Sequence, residues 1–288
     1  MDLSLLGQLA FNGVLLGLVY GLVGLGLALA LGVMGILNIS HGALYMLGGY
    51  LTFYFAQQLG LPPVADVILA VAGIFVVGVL IDRTLVQTTG YDETSVMMVT
   101  FGLAIILGQI ALLVWGGNPI STKPILQSTM IFGSLYTQSQ IFLSSIVGVA
   151  VAALTILFLR KSKMGKAMRM VSQNREAANV LGVSTAKISA ISLGIGSCYA
   201  GLAGALLTPV YLVYPDAQWA PLIAAFVVVI VGGLGSVSGA MIGGLIYGIL
   251  ETIGSYFIPA GSEIMVLVLI IIVILIRPSG LFGTRSRV

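Results

Sequence analysis

From Leu3 to Ala65 the chain carries no Lys, Arg, Asp or Glu. Water does not tolerate an apolar stretch of that length, which is long enough for two membrane crossings at about 20 residues each. Further uncharged runs follow at 67–81, 94–122, 124–159, 188–215, 217–250 and 264–276. Only 7% of the 288 residues are charged, against roughly 25% in a soluble domain. Twenty-one charges cannot cover the core of a soluble protein this size, so lipid is the solvent for most of the chain. Soluble enzymes, nucleic-acid binders and disordered proteins are excluded on the same ground.

In hydrocarbon every backbone N–H and C=O must be paired within the protein, so only helices or closed barrels span. Barrel strands alternate apolar and polar residues, whereas these runs are apolar on every face. The expected fold is therefore an all-α polytopic membrane bundle, a single transmembrane domain over 1–288. Spans are expected near 5–31, 36–57, 62–82, 96–115, 139–159, 188–212, 218–235, 238–257 and 260–276. That makes nine, or eight if 36–57 is re-entrant. Small residues at four-residue spacing (Gly13, Gly17, Gly21; Gly196, Ala200, Gly204; Gly235, Gly239, Gly243) allow close helix packing. They suit either a bundle interior or a seam between subunits.

Charge asymmetry sets an orientation. The loop 160–187 holds Arg160, Lys161, Lys163, Lys166, Arg169, Arg175 and Lys187, and the tail 277–288 adds Arg277, Arg285 and Arg287. The positive-inside rule puts both in the cytoplasm. Four spans separate them, so the two assignments agree. Counting back through five spans places the N-terminus and the 116–138 loop outside; with 36–57 re-entrant the N-terminus moves inside.

Two stretches interrupt the apolar pattern: Gly35-Ile36-Leu37-Asn38-Ile39-Ser40-His41-Gly42 and Gly232-Gly233-Leu234-Gly235-Ser236-Val237-Ser238-Gly239. Non-helical backbone at membrane depth is tolerated only where protein or water surrounds it, and broken helices line the pathways of transporters. Asn38, Ser40, His41, Gly42, Gly235, Ser236 and Ser238 are therefore candidate pathway residues. Asn38 and Ser40 also suit helix N-caps, and both roles can hold together. Glu251 falls in the outer half of its span, facing either the bundle interior or the interface.

The loop 160–187 is patterned beyond its charge. Asn174 can cap a short helix from Arg175 to Leu181, with Gly182 as its stop. Ala177, Ala178 and Leu181 would share its apolar face. Single His and Cys residues, His41 and Cys198, leave no metal cluster or disulfide framework. No Gly-x4-Gly-Lys-Ser/Thr phosphate loop is present.

The Glu176-Ala177-Ala178-x3-Gly182 pattern resembles the coupling motif of ABC importer permeases. Gly165-Lys166-Ala167-Met168-Arg169 through Gly182-Val183, the Gly35–Tyr50 stretch, Gly232–Ala240, and Arg277-Pro278-Ser279-Gly280-Leu281-Phe282-Gly283 resemble, in family order, the motifs of branched-chain amino acid permeases. The length and the Asn-x-Ser-His-Gly variant resemble the LivH-type member of the LivH/LivM family. The resemblance implies a permease subunit for branched-chain or related amino acids or similar small polar solutes. It implies a second, LivM-like permease subunit, two ABC ATPase subunits and an extracytoplasmic solute-binding protein as partners, in a bacterial cell membrane. Membrane lipid is a further partner, and nucleic acid is not. It implies no cofactor on this chain, with ATP and Mg²⁺ held by the ATPases, and Arg169, Arg175, Glu176, Ala177, Ala178 and Gly182 as the coupling residues. The competing expectation, an ion-coupled secondary transporter, needs titratable groups at the midplane. Only His41 and Glu251 offer any.

Overall fold

The computed structural model describes residues 3–258, 262–277 and 279–283. Arg285 and Arg287 of the tail, and the first residues of the 260–276 span, lie outside them. Eleven α-helices follow in order: α1 (Leu3–Met34), α2 (His41–Leu59), α3 (Pro63–Ile81), α4 (Glu93–Trp115), α5 (Ser139–Lys161), α6 (Lys163–Gln173), α7 (Arg175–Val180), α8 (Thr185–Leu207), α9 (Trp219–Gly232), α10 (Val237–Phe257) and α11 (Ser262–Ile276). A two-stranded antiparallel hairpin, β1 (Thr129–Phe132) and β2 (Leu135–Gln138), precedes α5. Among the described residues, six helical segments are long and apolar enough to cross a membrane: Ser4–Met34, Pro63–Thr89, Glu93–Trp115, Ser139–Lys161, Thr185–Leu207 and Val237–Phe257. The chain is a multi-pass helical membrane bundle.

A helix apolar on all sides is a buried one, and α1 is the axis of the bundle. Val19, Leu22, Val23, Leu25 and Leu27 are completely enclosed, packed by α5, α8, α9 and α10. The glycine stripes supply this closeness. Gly13 and Gly17 of α1 lie directly on the backbone of α10 at Gly248–Ile249 and Gly244–Leu245. Gly196 lies on Gly26 and Gly204 on Tyr45. These stripes are thus filled by neighbours of the same chain.

Contacts of α1 fix the two ends. At one, Gln8 Nε2 donates to the Tyr136 carbonyl at 2.7 Å and Tyr136 N–H donates to Gln8 Oε1 at 3.0 Å, tying the start of α1 to the hairpin. At the other, Leu29 and Val33 of α1 stand beside Met168 and Arg169 of α6. The 116–138 loop and the basic 160–187 loop therefore occupy opposite ends. Apolar side chains on α3, α4 and α5 such as Ile68, Val76, Leu113 and Leu154 point outward, as a lipid-facing surface requires.

The expected 36–57 and 218–235 spans are not full helices. After Gly35, at φ +72, residues 36–40 run back along α1 without helix, and α2 begins only at His41. The His41 imidazole bonds the Val23 carbonyl at 2.9 Å. Val23 lies about 16 Å up α1 from its end, at 1.5 Å per residue, so α2 starts mid-bundle. Likewise α9 spans only 14 residues, because 208–218 returns into the bundle without helix. Val213 pairs there with Ile120 through two 2.9 Å bonds. The two half-helices meet where the Gln218 carbonyl abuts Gly42.

Candidate functional site

At this meeting point the polar residues of the first break come together. The Asn38 carboxamide oxygen accepts from Ser40 N–H at 3.0 Å and from the Ser40 hydroxyl at 2.6 Å. Ile39 N–H donates to Thr100 Oγ1 on α4 at 3.1 Å. The expected capping of α2 takes a different form: Ser40 occupies the cap position without a side-chain bond to the helix, and Asn38 folds the approach into a local turn. Asn38, Ser40 and His41 are 2%, 0% and 1% exposed. Their surroundings belong to this same chain: α1 at Val23 and Gly26, α4 at Thr100, and the start of α9. Asn38 Nδ2 and, across the junction, Gln218 Oε1 are buried without a partner.

The second predicted break does not join this group. Gly232–Gly239 forms the turn between α9 and α10 at the α6 end, where Gly235 packs on Gly32 and lines a small recess with Arg169. Ser236 Oγ accepts from Gly239 N–H at 3.0 Å and caps α10. Ser238 is exposed. The interruption at depth is instead 208–218. Its signal was Pro209, Pro215 and Asp216, which lie within or between two apolar runs that read as ordinary spans. Glu251 is partly buried on α10 and accepts from the Ser255 hydroxyl at 3.4 Å.

The 160–187 loop folds as two short helices laid on the bundle end. Ser162 Oγ accepts from Gly165 N–H at 2.8 Å to start α6. Asn174 Oδ1 accepts from Ala177 N–H at 2.9 Å to start α7. Gly182, at φ +81, reverses the chain, with Val183 N–H donating to the Ala178 carbonyl at 3.0 Å. Thr185 Oγ1 donates to Asn179 Oδ1 at 3.0 Å, which pins the loop to α8.

The expected apolar face of α7 needs correcting. Ala178 is 2% exposed and packs inward, in one apolar cluster with Met168, Val171 and Ile188. Arg175 also turns inward: its guanidinium lies over the Tyr91 ring at 3.7 Å. The surface presented outward includes Glu176, Ala177, Asn179, Val180 and Leu181, the last two 88% and 71% exposed. Arg169 is exposed on α6.

Sequence reasoning missed Tyr91 and Asp82. Tyr91 is the one non-glycine residue with positive φ (62) among the described residues, a conformation that stores strain unless its surroundings hold it. Asp82 opens a π-helical turn, Asp82–Val86, at the end of α3. It is fully enclosed and accepts from Gln87 Nε2 at 2.8 Å. Burial pushes the Tyr91 hydroxyl above its usual range. The available signal was the Asp82-Arg83 pair closing an apolar run.

Comparison with known proteins places these features. The family model for the permease component of branched-chain amino acid transport systems matches residues 9–276. The high-affinity branched-chain amino acid transport permease LivH of Escherichia coli K12 is 30% identical, over 96% of this chain and 95% of its own length. BraD of Pseudomonas aeruginosa, of the same description, is 26% identical over the same shares. LivM of E. coli K12 is 24% identical, over 92% of this chain but only 68% of its own length. These relatives are permease components of transport systems, not enzymes. With a match spanning nearly all its helices, the chain belongs to the branched-chain amino acid transport permease family.

Proposed function

We propose that the protein is the LivH-type permease subunit of an ATP-driven importer for branched-chain or related amino acids. It would pair with a longer LivM-like subunit, two ATPases and an extracytoplasmic binding protein. The observation that carries the reading is α7: a capped, six-residue helix at the basic end, held on the bundle by Ala178 and Arg175 while Val180 and Leu181 face away. Exposed apolar side chains at the rim of a charged loop are what a docking knob for another protein requires. The chain carries no phosphate-binding loop of its own, so ATP and Mg²⁺ would be held by the partner.

The orientation follows from charge: α6, α7 and the tail cytoplasmic, the hairpin and the N-terminus outside. The α2–α9 junction is the part of the subunit suited to line or gate a pathway. Its polar groups are enclosed now and become reachable only when α2 parts from the start of α9. Glu176 and Arg169 would sit at the rim of the ATPase contact, Gly182 would set the angle of the knob, and Ala178 and Arg175 would hold it from beneath. The test is ATP hydrolysis by the reconstituted complex. Addition of binding protein loaded with L-leucine should raise it, and an unchanged rate with every branched-chain amino acid would reject the assignment.

A further inference from the structure

At the hairpin end, opposite α7, lies a cavity of about 530 Å³ between the start of α3, the end of α2, the 121–125 loop and the end of α8. Small-molecule sites run from about 300 to 1,000 Å³. Two charged residues line it, Asp66 and Lys123, of opposite sign. Asp66 sits in the first turn of α3, where the helix dipole favours a carboxylate. It is only 2% exposed, its Oδ1 has no hydrogen-bond partner, and no cation among the described residues is paired with it. A buried charge demands a counter-charge. Lys123 is exposed on the loop that roofs the cavity. The nearby Thr122 hydroxyl is likewise buried without a partner. Much of the remaining wall is apolar: Phe53, Leu61, Val67 and Ile125.

An unpaired carboxylate, a separate ammonium and an apolar wall together describe the complement of an α-amino acid with a hydrocarbon side chain. We propose that this cavity is an acceptor site for the free amino acid, with the ligand's α-ammonium at Asp66, its α-carboxylate at Lys123 and its side chain against Phe53 and Val67. The assignment rests on the importer reading, since the orientation above opens this end to the outside, where a binding protein would deliver.

The test uses the reconstituted permease complex without its binding protein and radiolabelled L-leucine as probe. Competition by unlabelled L-leucine is compared with 4-methylpentanoate, which lacks the ammonium, and 3-methylbutylamine, which lacks the carboxylate. Each truncated analogue should bind at least about tenfold more weakly, the equivalent of one charge-assisted hydrogen bond. Asp66→Asn should weaken L-leucine by about tenfold or more, and Lys123→Gln, at an exposed position, by several-fold. Absence of L-leucine binding, equal binding of either analogue, or equal affinity in Lys123→Gln would overturn the proposal. ATP-driven uptake with binding protein is measured on the same vesicles. Uptake without the binding signal removes the site and leaves the importer, whereas binding without uptake leaves the site and removes the importer.

Discussion

Replacing Val180 and Leu181 together by alanine isolates the docking function of α7 from its folding. The change deletes five carbons, each worth about 0.8 kcal/mol when it passes from water to a fully apolar contact. Weighted by the 88% and 71% exposure that a partner could remove, the loss is about 3 kcal/mol of ATPase binding, or somewhat over a hundredfold in affinity. Because neither side chain is buried in this chain, the stability of the subunit itself should change by less than about 0.5 kcal/mol. Glu176→Ala, at the exposed rim, should cost at most about 1 kcal/mol. The assay is titration of purified ATPase onto the permease in nanodiscs, with thermal unfolding of the same samples. ATPase affinity within threefold of wild type in a folded double variant would refute the assignment of this face.

Three further outcomes follow from the same geometry. Ala178→Trp should lower the unfolding midpoint, since overpacking a filled core costs about 1–3 kcal/mol, whereas Ala177→Trp should leave the midpoint unchanged and weaken ATPase binding; equal midpoints would place Ala178 outside the core. Gly17→Val puts a Cβ 2.6 Å from the Gly244 carbonyl oxygen and should also lower the midpoint, by about 1–3 kcal/mol of overpacking, while an unchanged midpoint would deny the close α1–α10 seam. Tyr91→Leu removes the ring beneath Arg175, a contact worth about 0.5–1 kcal/mol, so proteolysis within 174–182 should quicken about two- to fivefold; Tyr91→Phe should match wild type, and equal rates in all three would mean that the stack does not hold α7.

Much of this architecture is written in the spacing of charges. The uncharged runs and the basic 160–187 loop are enough to define a helical membrane bundle with two distinct ends, because lipid leaves the chain so few alternatives. The first break was legible because Asn38, Ser40 and His41 are clustered polar groups among residues that are otherwise apolar. The second was not. From 188 to 235 only Asp216 is charged, and an apolar segment gives the same reading whether it crosses fully or turns at mid-depth. That 208–218 re-enters depends on its pairing with Ile120 and its seat against Gly42, which are contacts distant in sequence. The bounds of α7 could be read from Asn174 and Gly182, since caps are local. Its facing could not. On a six-residue helix the choice between Ala178 and Leu181 as the inner residue is made by Met168 and Ile188 beneath.

The most direct measurement of the central claim is L-leucine accumulation in proteoliposomes holding this chain, its partner permease and the ATPases, with binding protein on the outside. The energy source is varied: ATP inside the vesicles, or an imposed proton or sodium gradient without ATP. The account predicts concentrative uptake with ATP alone, lost when either the ATPases or the binding protein is omitted. Uptake driven by an ion gradient in the absence of ATP would contradict it.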